Sequence, residues 1–221
     1  MDTQQAPLRL AVLLSGSGSN FQALIDAIEQ QQLPGTEIAL VISSRADAYG
    51  LQRALKHKLP TVYLPWNREQ RMEAESKTQA LLQLFQIDLI VLAGFMRIFS
   101  PAFVTQFPKR IINLHPALLP DEGTGDTFVT SDGTTIPVFR GLHVLQQAID
   151  TGLKVTGSTV HYVTPELDAG PVVCRAEVAI MSNDTEATLQ ERVKQVEHGL
   201  IVEAVRKLGQ QHRHSVPSNR S

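Results

Sequence analysis

Residues 8–31, LRLAVLLSGSGSNFQALIDAIEQQ, decide how the rest of the chain is read. Leu8 to Leu14 is almost continuously apolar and of strand length, which suits a strand buried on both faces of a parallel sheet. Ser15 to Ser19 makes a turn, and Asn20 to Gln31 then places Phe21, Leu24, Ile25 and Ile28 at the spacing of one helix face. A buried strand passing through a glycine turn into an amphipathic helix is the opening of a βαβ unit. The alternation continues with strands at Glu37–Ser43, Thr61–Leu64, Leu89–Leu92 and Ile111–Leu114, and helices at Ala48–Lys56, Arg68–Phe85 and His143–Thr151. Lys154–Tyr162 and Val172–Ala179 alternate in character and are joined by a short turn segment, so they are expected to pair antiparallel at one edge. Thr185–Leu208 closes the pattern as a helix striped by Leu189, Val193, Val196 and Leu200, with Asn183 and Glu186 as its capping pair and Gly199 as its weak point. The polar stretch from Gln210 has no period and is expected to fray, as are residues 1–7. The expected fold is α/β: a single Rossmann-like domain over 8–209, with a mostly parallel sheet, antiparallel edge strands and helices on both faces.

Composition narrows the function. A net charge of −2 offers no basic surface for tracking a nucleic acid or an anionic membrane, so small-molecule partners are expected and neither of those. Cys174 is the single cysteine, which excludes an internal disulfide and a multi-thiolate zinc site and fits a reducing compartment. The sequence has no apolar run of the roughly 20 residues that a membrane span needs, and its first residues lack the pattern of a signal peptide. A cytoplasmic location is expected.

Four stretches carry residues that a scaffold alone does not require. Gly16-Ser17-Gly18-Ser19-Asn20 lies between strand and helix, where glycines admit an anion and the helix start turns its amides toward it. Neither a dinucleotide fingerprint nor a Walker loop is completed there, and a plain tight turn is the other reading. Asn113-Leu114-His115-Pro116 follows a buried strand, at the strand end where open α/β sheets gather ligands. Asn113 and His115 are two apart and project to one side, pairing an amide donor with a titratable imidazole. Leu167-Asp168-Ala169-Gly170-Pro171 offers Asp168 as the carboxylate that would raise the imidazole pKa and keep it protonated near neutrality. By type and spacing alone, turn residues and a satisfied histidine are the reading that these three favour. Leu92 to Pro101 ends a strand in glycine and continues as an apolar loop with one cation, a lining for a flat heteroaromatic ligand or a loop under the core.

Taken together, the four resemble the phosphoribosylglycinamide formyltransferases, a folate-dependent family. The resemblance rests on Ser15 to Asn20, Ala46 to Leu51, Leu92 to Phe103, Asn113 to Pro120 and Glu166 to Pro171, and spans roughly Leu8 to Leu208. Ala117 stands where the motif usually has serine. The resemblance implies formyl transfer from 10-formyltetrahydrofolate, a cosubstrate rather than a tightly bound cofactor, to the amine of 5'-phosphoribosylglycinamide, with no metal. Asn113, His115 and Asp168 are then the catalytic residues, and Asn113 also faces the formylfolate. Gly18, Ser19 and Asn20 would hold the ribose phosphate and Glu197 a ribose hydroxyl. Met96, Arg97, Ile98 and Phe99 would line the pterin pocket, and Arg71 or its neighbour Arg68 would face the benzoyl-glutamate side.

Residues 121–140 depart from the family, which has only a few residues there. Thr127–Thr130 and Thr134–Val138 flank Ser131-Asp132-Gly133, a hairpin signal, so this stretch is expected to be an inserted, protruding hairpin. Two formyltetrahydrofolate relatives, methionyl-tRNA formyltransferase and formyltetrahydrofolate deformylase, need a further domain for which this length leaves no room. A metal hydrolase built from His115, His143, His161 and Asp168 lacks a local ligand pair. A non-catalytic nucleotide-binding module on residues 16–20 leaves Asn113, His115 and Asp168 without a role.

Overall fold

Leu10, Leu13 and Leu14 of the first strand are wholly buried, as the unbroken apolar run requires. The computed structural model describes residues 6–67 and 69–215. Contacts gather in two units, one drawn from Met1–Phe99 with Val202–Ser221 and one from Ser100–Ile201.

The first unit runs β1 (Leu8–Leu14), α1 (Ser19–Glu29), β2 (Thr36–Ser43), α2 (Tyr49–Lys56), β3 (Thr61–Tyr63), α3 (Arg71–Leu84) and β4 (Leu89–Leu92), and takes the end of the long helix α6 (Glu186–Ser215). Its strands lie in the order β3-β2-β1-β4, all parallel. α1 buries Phe21, Leu24, Ile25 and Ala27; truncating Leu24 to alanine would cost about 2–5 kcal/mol. The helix stops where Gln31 turns left-handed (φ 58°) and the Gln31 and Gln32 amides close onto Ile28 and Ala27 carbonyls.

The second unit holds α4 (Pro101–Val104), β5 (Ile111–His115), β6 (Thr127–Val129), β7 (Thr135–Pro137), α5 (Val144–Asp150), β8 (Val155–Tyr162), β9 (Val172–Ala179) and the start of α6. β5, β8 and β9 are neighbours in that order, each pair antiparallel. The four strands of the first unit are therefore parallel and the three of the second antiparallel, in the mostly parallel α/β class.

Local chemistry corrects the sequence reading in four places. α4 was not expected; the Ser100 hydroxyl accepts from the Phe103 amide and Pro101 opens the turn. At the start of α6 the side-chain cap is Thr185, whose Oγ1 accepts from the Thr188 amide, rather than Asn183. Residues 210–215 are helical rather than frayed, because Arg213 donates to the Pro34 carbonyl (2.9 Å) and Gly209 packs beside Leu8 and Thr36. The hairpin β6–β7 forms but does not protrude: the Ser131 amide and hydroxyl donate to the Glu177 carboxylate (2.6 Å each), and Arg175 covers the Phe128 ring. Its turn is drawn in by Asp132, whose carboxyl is held at about 2 by the Thr130 hydroxyl and the Thr134 amide.

Candidate active site

β5 pairs with β8 so that Asn113 lies opposite His161 and His115 opposite Thr159. Asp168 comes from the turn between β8 and β9, in the left-handed region (φ 48°). Gly170 fixes that turn, since a Cβ there would lie 1.8 Å from the Tyr162 carbonyl oxygen. The structure thus brings Asn113, His115 and Asp168 together. Asp168 Oδ2 is 3.4 Å from His115 Nδ1, and Asn113 Nδ2 donates to Asp168 Oδ1 at 3.4 Å. The His115 and Asp168 side chains are 4% and 6% exposed, so their interaction is poorly screened.

Burial, the largest influence, pushes the His115 pKa below the ordinary imidazole value; Asp168 and the Phe139 carbonyl pull it back up, while His161 and Arg140 oppose them. The expectation that Asp168 keeps the ring protonated near neutrality is therefore corrected. A ring removed from water on all sides loses more than one shared carboxylate returns. Burial would also raise Asp168, but the His161 hydrogen bond, His115 and the Gly141 amide together hold its pKa below the ordinary carboxylate value.

Four contributors to this cluster were not among the catalytic residues expected from sequence, where His161 figured only in the rival metal site. His161 donates from Nδ1 to the Tyr162 carbonyl (2.9 Å), leaving Nε2 near Asn113 Nδ2 (3.3 Å) and Asp168 Oδ1 (3.5 Å). Its signal was a histidine in a buried strand, without a register to say what faced it. The Phe139 carbonyl accepts from His115 Nε2 (2.9 Å), the Gly141 amide donates to Asp168 Oδ2 (2.9 Å), and Arg140 Nε donates to the Asp168 carbonyl (3.1 Å). Among the described residues no group of His, Cys, Asp and Glu has metal-binding geometry. Glu197, on α6, is buried and accepts from Ser158 Oγ (3.3 Å), which also donates to the His115 carbonyl (3.0 Å).

The first unit holds the other expected residues. Gly18 is left-handed (φ 68°) and precedes Ser19 and Asn20 in the first turn of α1. A Cβ on Gly18 would lie 2.8 Å from the Gly50 Cα, so packing as well as the left-handed backbone calls for glycine here. Ser15 ties the strand ends together: its hydroxyl meets Ser44 Oγ (2.7 Å) and accepts from the Met96 amide (2.8 Å). Met96 and Ile98 project with 65% and 64% exposure, whereas Phe99 is buried against Trp66 and Phe95 and backs the loop rather than lining it. Arg71 Nε donates to Glu75 one turn along α3 (3.2 Å). Arg68 lies outside the described residues.

The profile of the formyl transferase family matches residues 8–125 and 129–205, and the chain belongs to that family. Within it, the chain is similar to the phosphoribosylglycinamide formyltransferase of Escherichia coli, with 38% identity covering 87% of this chain and 83% of that protein. It is also 38% identical to the human trifunctional purine biosynthetic protein adenosine-3 over 89% of this chain, which spans 18% of that longer protein. Among solved structures, glycinamide ribonucleotide transformylase 1 from Symbiobacterium toebii is similar with a TM-score of 0.80 and 36% identity, covering 94% of this chain and 90% of that one.

Proposed function

We propose that this enzyme transfers a formyl group from 10-formyltetrahydrofolate to the amine of 5'-phosphoribosylglycinamide, giving formylglycinamide ribonucleotide in purine (IMP) biosynthesis, and that Asn113, His115 and Asp168 carry the step. The observation that supports these roles is the buried Asp168 carboxylate, 3.4 Å from both His115 Nδ1 and Asn113 Nδ2.

The amine nitrogen bonds to the formyl carbon, and the carbonyl electron pair moves onto oxygen. The Asn113 amide turns an N–H to that oxyanion. A neutral His115, the form its lowered pKa favours, takes up at Nε2 the proton that the nitrogen sheds, its own proton having moved to Nδ1 beside Asp168 as Nε2 leaves the Phe139 carbonyl for substrate. The imidazolium so formed is stabilised by Asp168 at Nδ1 and by the oxyanion, so it arises as the intermediate does. Collapse breaks the bond from carbon to the folate nitrogen, and His115 returns the proton from Nε2 to that leaving nitrogen. No proton is gained or lost overall.

In this reading Gly18, Ser19 and Asn20 hold the phosphate by the α1 amides and Glu197 holds a ribose hydroxyl. Met96, Arg97 and Ile98 cover the pterin on the platform that Phe99 supports, and Arg71 faces the glutamate side. Residues 8–209 act as one formyltransferase domain in which 121–140 is an insertion. No described helix is long and apolar enough to cross a membrane; the substrates are small molecules, and we place the enzyme in the cytoplasm, with neither nucleic acid nor membrane as a partner.

The test mixes purified protein with 10-formyltetrahydrofolate, with and without 5'-phosphoribosylglycinamide, and follows tetrahydrofolate release. Release that depends on the amine substrate is expected. Equal release without it would make the reaction a deformylation and overturn the proposal.

A further inference from the structure

The catalytic carboxylate stands on a turn that its own strands do not hold alone. Asp168 lies in the left-handed region, in the reversal between β8 and β9. Nothing within residues 164–171 directs its carboxylate at His115. That is done from outside, by Asn113 and His161 at Oδ1 together with the segment 139–141. Its Gly141 amide donates to Oδ2 at 2.9 Å, and its Phe139 carbonyl holds the far side of the same imidazole at Nε2, also 2.9 Å.

Arg140 stands between these two contacts, and its side chain points away from them into a nest of backbone carbonyls. Nη2 donates to Gly123 and Gly125 (2.8 Å each), while Nε donates to Asp168 (3.1 Å). Only 24% of the side chain is exposed, and the Asp126 carboxylate, 3.9 Å from it, is itself fully exposed. Three carbonyls from two separate loops therefore converge on one planar cation, a geometry that the fixed fork of a guanidinium serves and a single ammonium does not. The loops touch directly as well: a Cβ on Gly123 would lie 2.2 Å from the Gly170 carbonyl oxygen and 2.5 Å from Ala169. The two chains can approach this closely only because Gly123 has no side chain.

We infer that Arg140 is a positioning residue for the transfer: its guanidinium clasps the 123–125 loop to the Asp168 turn, and so holds the carboxylate at His115 Nδ1 and the 139–141 backbone on both partners. It contacts no reacting atom. The inference rests on the catalytic roles proposed above for His115 and Asp168, and it gives the 121–140 stretch a purpose, since the guanidinium and the 123–125 carbonyls that it holds both lie within it.

Loss of the clasp lets the turn drift, and a misplacement near 1 Å in a catalytic constellation can cost about 10²-fold in rate. The test compares wild type with Arg140→Ala and Arg140→Lys by steady-state kinetics and by amide hydrogen exchange at Gly141. Arg140→Ala should lose about 10- to 100-fold in kcat with KM for both substrates little changed, and its Gly141 amide should exchange faster. Millimolar guanidinium should restore part of kcat where the same concentration of sodium chloride does not. Arg140→Lys, which keeps the charge and the stem and serves as the readable variant if the alanine form does not fold, should stay impaired. Unchanged kcat with unchanged Gly141 protection would overturn the inference. A rise in KM alone would also overturn it, by placing Arg140 in substrate binding. If wild type transfers no formyl group, the functional reading fails on its own, and Gly141 exchange in the variants still decides whether the clasp exists.

Discussion

Replacing Asp168 by asparagine keeps the shape of the side chain and removes its charge. The amide oxygen can accept from Gly141, and the amide nitrogen can face His161 Nε2, so the turn should persist. What is lost is the attraction for the imidazolium. Two unit charges 3.4 Å apart, as His115 Nδ1 and Asp168 Oδ2 stand, attract by about 5 kcal/mol at an effective dielectric constant near 20. Part of that charge is already spent on Gly141, Asn113 and His161, so roughly 3 kcal/mol is a fair share for the imidazolium, or about 10²-fold in rate. The sign follows from the same balance. Asp168 is the strongest influence raising the His115 pKa against burial, so its loss should lower that pKa further. The Asp168→Asn plateau of kcat should fall about 10²-fold, and the acid limb of the pH–rate profile should move to lower pH. An NMR titration of His115 in both proteins reads the second effect directly. A His115 pKa that is unchanged or raised in the variant would refute the electrostatic role of Asp168.

Asn113→Ala should lower kcat by about 10² or more with the fold intact, because one donor to the oxyanion is gone; thermal melting alongside kinetics separates the two effects. Gly199→Ala should stabilise the protein by up to about 1 kcal/mol, since a Cβ there meets nothing within 4 Å, and a denaturant midpoint measures it. Stability should decline in acid from two groups. His115 and Asp168 both have folded pKa values below their unfolded ones, so each contributes stability above its unfolded pKa that is lost as pH falls through its folded one. For His115 the decline begins near its ordinary value of 6.5; for Asp168 it begins near 3.8. Urea titrations of wild type and His115→Gln across this range should show the upper part of the slope missing from the variant.

What could be read from sequence was local. β1 and β4 have the bounds that their apolar runs give, because a strand buried on both faces writes its length into composition, and β9 has those of its alternating run. Asn113 and His115 were legible as a pair because a strand puts alternate residues on one side, whatever it pairs with. Their partners depend on pairing that no local pattern carries. His161 meets Asn113 only through the antiparallel register of β5 and β8. Phe139 and Gly141 act through backbone atoms, which leave no trace in residue type. The end of α6 read as a tail because its polar residues find their hydrogen bonds at Pro34, far away in the chain. The resting charge of His115 was misread for a related reason: the carboxylate was visible in sequence, but the extent of burial that outweighs it was not.

The most direct test of the catalytic centre is a single-turnover transfer of an isotopically labelled formyl group, with wild type and His115→Ala run side by side at saturating concentrations of both substrates. Wild type should move the label from 10-formyltetrahydrofolate onto the amine of 5'-phosphoribosylglycinamide, and His115→Ala should do so at least about 10²-fold more slowly while still binding both. Equal rates of label transfer in the two proteins would contradict the assignment of the chemistry to His115 and the residues around it.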